Sequence, residues 1–320
     1  MDESTEINRS FEVSGPARLS LHNVEGVIDI APGDEGVVTV QAVKHPGRGA
    51  NQTEIEITQS GDGAITVATH FLEDFVARLF QPHQHGPVRV DYTVRLPRAC
   101  QLEVAFVSGQ CQVRGLEGDF VLRAVSGPIH LEDLAGQLKI NMVSGEVTAA
   151  RVRLTSGLDL TTVSGDVSFA GCQLPGVTAS TVSGGLRLET PLGAGPYRFK
   201  SVSGDVWLAV PPTTRCHVEL HSLSGRLRAN LPAARHVSQH GQTRVEAGAA
   251  GADGDAAEVC FQSLSGDLHL IGPDPGQATS PAPAEADAPP AQAPDDRMAI
   301  LERISRGELT VDEALGALEE

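Results

Sequence analysis

Aromatic side chains are scarce in this 320-residue sequence, with nine Phe, two Tyr and one Trp making 4% of it. Basic residues are few: 24 Lys and Arg stand against 41 Asp and Glu, for a formal net charge of -17. A phosphate backbone would be repelled, which argues against a nucleic-acid partner. An anionic membrane surface is disfavoured for the same reason. Long apolar runs are missing too. No window reaches the roughly 18 apolar residues of a membrane helix, so no integral membrane segment is expected. The start, MDESTEINRSFEV, lacks the basic and apolar regions of an export signal. The five cysteines are odd in number, widely spread and without a CxxC pair. Such spacing suits reduced thiols buried as small apolar residues, and a cytoplasmic location is expected.

What is present is Gly (34), Pro (20) and 40% hydrophobic residues. Gly, Val, Thr and Ser in abundance suit short strands and tight corners better than a helical bundle. One corner recurs. TVSGDVSF at 161–168 has near copies in AVSGPIHL, MVSGEVTA, SVSGDVWL and SLSGDLHL. With the Val or Leu of each VSG as position zero, the corners fall at Val107, Val125, Val143, Val163, Val182, Val202, Leu223 and Leu264. The first seven are 18 to 21 residues apart, a period that marks a stacked-repeat fold. Positions -5, -3 and -1, and again +4 and +6, are mostly apolar, as in Leu102, Val104, Phe106 and in Val206, Leu208. Each arm is therefore a half-buried strand. The parity switches at VSG, with positions -1 and 0 both expected to face inward. Gly109, Gly127, Gly145, Gly165, Gly184, Gly204, Gly225 and Gly266 are the structural corners, because glycine takes positive φ without a Cβ penalty. The pattern predicts an all-β protein, a β-solenoid of stacked coils about 40 Å long at a strand spacing of ~4.8 Å.

Four domains are expected. Residues 1–100 lack the VSG repeat but alternate like strands and read as a β-rich cap that protects the open end of the rod. Within them, HFLEDFVARLFQPH has apolar residues at helical spacing and stops at Pro82. Residues 101–271 are the solenoid, with 233–258 read as a long exposed loop. Residues 272–296 are a Pro/Ala/Asp-rich linker. Residues 297–320 are a short helical hairpin with a capping box at Thr310 and Glu313. Its apolar positions, Ile300, Leu301, Ile304, Leu315 and Leu318, bury too little area alone and should dock on a second copy or a protein partner.

The cap and the GxLxLxxVSGDVxL coils resemble an uncharacterised bacterial family of β-strand repeats provisionally called adhesins, over roughly residues 6–271. The tail ILERISRGELTVDEALGALEE resembles the short C-terminal (SHOCT-like) helical motif. The resemblance implies a β-solenoid with an oligomerisation or partner-binding tail.

No catalytic motif is present and no cofactor is expected. Eight equivalent serines argue for structure, since a catalytic serine would be singular and would sit in a nucleophile elbow. The acids at position +3, Asp166, Asp205 and Asp267 among them, read as solvated corners. CHVELH puts His217, Glu219 and His221 on one outer face, where two could converge on Zn²⁺ or Ni²⁺, with His236 and His240 following; Lys200, one coil away, disfavours a cation. The outer +5 row places Trp207 with Arg187 and Arg228 one coil to either side, a cation–π contact spot. The sequence thus points to a non-catalytic scaffold tethered by its tail. The alternative is a carbohydrate-binding or adhesive module using the Arg187–Trp207–Arg228 strip.

Overall fold

A computed structural model describes residues 4–47, 50–71, 88–193, 195–211, 215–230, 235–239, 242–247 and 256–272. The helix expected at 71–80, the linker and the tail lie outside them, apart from Phe71 and Gly272. Among the described residues the structure is nearly all β, with one 3-10 turn at Ala50–Gln52.

Two parallel ladders run side by side, one from the arm before each corner and one from the arm after it. Leu102, Leu122 and Ile140 illustrate the inward rows; each is at most 2% exposed. In register, Ser144, Gly145 and Glu146 lie against Ser164, Gly165 and Asp166. One continuous hydrophobic core runs from Ala17 to Leu270. Apolar burial of about 25 cal/mol per Å² makes each coil depend on its neighbours, as in other stacked repeats.

The stack begins earlier than the VSG repeat suggests. Ala17–Pro32 pairs in parallel with Ala99–Arg114, setting Glu25 against Ser108 and Gly26 against Gly109. The segment read as cap therefore holds the first full coil, with NVEG as its corner. Ala64–Phe71 and Val90–Leu96 lie parallel to its two arms, as the two arms of a further coil. Antiparallel strands close this end: Thr53–Gln59 on one ladder, Val37–Lys44 and then Thr5–Glu12 on the other.

The far end departs from chain order. Ala257–Ser263 lies between Pro196–Ser201 and Cys216–Ser222, parallel to both. Leu268–Ile271 likewise lies between Val206–Ala209 and Leu227–Asn230. The last coil in sequence is thus inserted before the coil that precedes it. The 233–258 segment is not simply a loop: Arg235–Gln239 and Gln242–Ala247 form a hairpin that pairs antiparallel with Cys216–Ser222 and covers the edge.

The corner itself differs from expectation in two ways. Position -1 is buried through Ser201, but position zero mostly faces outward: Val107 is 48% exposed and Leu223 85%, while Val163 stays buried. Positive φ accounts for Gly109 (133°) and its counterparts through Gly184, but Gly204, Gly225 and Gly266 are not left-handed. In those three, a serine at -1 accepts the glycine N–H, as Ser201 Oγ does from Gly204 at 2.6 Å. All eight share another demand. A Cβ on Gly109 would overlap the Gly26 carbonyl oxygen, and one on Gly204 the Gly184 carbonyl. Space between coils, more than φ, requires glycine.

Candidate functional site

The corner serines stitch one coil to the next. Ser126 Oγ donates to the Val107 carbonyl at 3.2 Å, and Ser144 Oγ to the Val125 carbonyl at 3.3 Å. The same carbonyls accept the serine N–H, at 2.8 Å and 2.9 Å. The aspartates at +3 do comparable work, which the sequence reading missed. Asp166 Oδ1 accepts the Gly185 N–H at 2.8 Å, and Asp267 Oδ1 that of Arg226 at 2.8 Å. The recurrence of Asp after Ser-Gly was the available sign. A short acceptor there reaches a backbone donor of the next coil.

The +5 row is a stack of flat groups. The Arg187 guanidinium lies over the Trp207 ring, 5.7 Å from its centroid. On the coil opposite, the His269 ring stacks on Trp207 with centroids 5.6 Å apart and planes 13° from parallel. Arg228 pairs in register with His269, so it stands two coils from Trp207 rather than one. This corrects the expected Arg–Trp–Arg order, and its cause is the inserted last coil. Both indole faces are covered, and the ring tip leaves only 2.9 Å for a Cβ on Gly185.

His217, Glu219 and His221 share the outer face of Cys216–Ser222. Glu219 stands between the two imidazoles, 3.6 Å from His217 Nε2 and 3.7 Å from His221 Nε2. His236 stands in register with Val245, itself opposite Val218, and not with His217 or His221. Lys200 and His221 both pair with Gln262, so they too are two coils apart. Among the described residues no group of three or more His, Cys, Asp or Glu is placed to hold a metal ion. His240 and the tail residues Ile300, Leu301, Ile304, Leu315 and Leu318 lie outside the described residues.

All five cysteines are free, with Cys100, Cys111, Cys172 and Cys216 buried and Cys260 half-buried. Burial pushes the Cys100 and Cys111 thiols up to about 12 and Cys216 to about 11. These are inert thiols, the opposite of the depressed pKa that a nucleophile needs. No helix among the described residues is long and apolar enough to cross a membrane.

No curated protein matches the chain. Among solved structures, a provisionally named adhesin from Bacteroides fragilis NCTC 9343 is 11% identical, with 83% of this chain and 97% of that one covered and a TM-score of 0.42. A second from Parabacteroides distasonis ATCC 8503 is 12% identical over 83% and 97%, TM-score 0.39. A provisionally named cell adhesion protein from Clostridium sporogenes ATCC 15579 is 12% identical over 85% and 100%, TM-score 0.24. The Toastrack DUF4097 family matches residues 18–270, from the first full coil of the stack to the last, and the chain belongs to that family.

Proposed function

We propose that the protein is a non-catalytic scaffold, a rigid β-solenoid whose helical tail, 297–320, binds a second copy or a protein partner. The observation that carries this reading is the fate of the repeated polar side chains. Ser126 and Ser144 among the corner serines, and the aspartates Asp166, Asp205 and Asp267, the groups a repeated catalytic or cation site would use, are hydrogen-bonded from coil to coil. Such cross-linking supports a part that holds others at fixed spacing. The linker, residues 272–296, keeps the tail concentrated near the rod. Free, mostly buried thiols support a reducing compartment, and a cytoplasmic location is part of the proposal.

The carbohydrate-binding or adhesive alternative is less well supported. A sugar ring stacks on an open aromatic face, and both faces of Trp207 are taken by Arg187 and His269.

Light scattering on the full chain and on a version ending at Gly272 tests the proposal. An oligomer that becomes a monomer on truncation makes the tail a self-assembly device. Two monomers, with residues 295–320 capturing a specific protein, support a partner instead. Two monomers and no capture overturn the reading.

A further inference from the structure

The outward-facing corner valines line an apolar groove. Val24, Val107, Val125 and Val143 stand on successive coils beside a cavity of about 480 Å³. Val107 and Val125 are 48% and 40% exposed, the sort of exposure that a working surface stripe shows. Asn23 and Thr69 lie at its N-terminal end. Thr69 belongs to Ala64–Phe71, the strand that immediately precedes residues 72–87 in sequence.

We infer that this groove is the dock of an amphipathic helix, and that its occupant is residues 71–80 of the same chain. Position is the first argument. Ala64–Phe71 runs parallel to Ala17–Pro32 with Ala68 in register with His22, so the last described residue before 72–87, Phe71, stands beside the Val24 end of the groove. The re-entry point is fixed as well, with the Val88 N–H donating to Thr53 Oγ1 at 3.2 Å. Pattern is the second. Leu72, Phe75, Val76 and Leu79 fall at i, i+3, i+4 and i+7, one apolar helical stripe, with Glu73, Asp74 and Arg78 off it. Length is the third. A ten-residue helix spans about 15 Å. From Val24 to Val143 there are three coil spacings, about 14 Å at ~4.8 Å each. The stripe and the valine row match in length and chemistry and are tethered side by side, which favours this occupant over the distant tail or a second copy.

Hydrogen exchange on the full chain tests this. Amides of 72–80 are expected to exchange at least about tenfold slower than in an unstructured chain. The exposed-site double variant Val107→Asp/Val125→Asp should remove that protection while amides of Leu102–Val104 keep theirs. Four results overturn the inference: no protection in the natural chain, protection that survives the double variant, protection that grows with protein concentration, or protection lost when 273–320 are removed. Should the double variant fail to fold, the pair Leu79→Cys/Val125→Cys in a Cys260→Ser background decides. Oxidation should cross-link it within one chain; cross-links between chains only, or none, overturn the inference.

Discussion

Asp205 Oδ1 accepts the backbone N–H of Asp267 at 2.7 Å, across 62 positions of sequence. The bond belongs to the same corner series as Asp166 to Gly185, so the coil of Asp267 is the spatial successor of the coil of Asp205. The chain builds the outer coil, 216–230, folds a hairpin over it, and then returns to fill the layer beneath.

This order predicts the result of truncation. A chain ending at residue 255 lacks the layer that supplies Val259, Phe261, Leu268 and Leu270 to the core. Each buried side chain of this size is worth about 1.5–3 kcal/mol. The coil at 216–230 is then expected to lose its seat, and the near-ultraviolet dichroism of Trp207 with it. A chain ending at Gly272 should keep both. An end coil, by contrast, could be removed without disturbing Trp207.

The glycine ladder separates space from dihedral angle. Gly109→Ala meets the Gly26 carbonyl and also a φ of 133°. Gly204→Ala meets the Gly184 carbonyl without positive φ. Both should lower stability by about 3 kcal/mol or more in urea unfolding, at the severe end for point changes. Gly63→Ala, at φ 80° with open space around it, should cost only about 1 kcal/mol. If Gly204→Ala behaves like Gly63→Ala, contact between coils is not what demands glycine.

Trp207 reports on its neighbours. Its fluorescence should change with Arg187→Ala and with His269→Ala, which remove the groups covering the ring. Arg228→Ala, two coils away, should leave the spectrum unchanged. A change with Arg228→Ala and none with His269→Ala would restore strict chain order to the stack.

Alkaline stability follows from the buried acids. Burial pushes Cys100 and Cys111 from 9.0 up to about 12, and Tyr92 from 10.0 up to about 12. Below the unfolded values these groups are neutral in both states, and their contribution is fully present. As pH rises from about 9 to 12, the unfolded chain ionises while the folded one resists. Stability should then fall by up to about 1.4 kcal/mol per pH unit for each group, until it is lost as the folded values are passed. Urea midpoints at pH 8, 9.5 and 10.5 check this. At pH 8 a thiol reagent should label Cys260 first and the buried four only on unfolding.

The VSG copies, read alone, carry the solenoid, the alternation of its arms and the structural role of the corner serines. The same reading leaves NVEG in the cap, because Glu25 stands where the other corners have serine. The 83 residues from the Gly26 corner to the next one at Gly109 also hide the period. The corner aspartates looked solvated because their partners are backbone N–H groups on the next coil, which no side-chain pattern displays. The outward turn of Val107 and Val125 was missed for a related reason. An apolar residue beside a buried one reads as buried, and only the path of the backbone through Ser-Gly sets its direction.

The sequence by itself determined the coil: its period, its two half-buried arms and the glycine at its corner, because alternation and close approach are local demands written into each repeat. The tertiary structure alone decided the order of the coils, the hairpin that closes the far edge and the second neighbour of Trp207, His269 in the place of Arg228. Every coil offers the same ladder of backbone groups to the next, so pairing energy does not distinguish one order from another. The choice falls to the connection between Asn230 and Ala257, which is long enough to let the last coil fold back beneath the one before it.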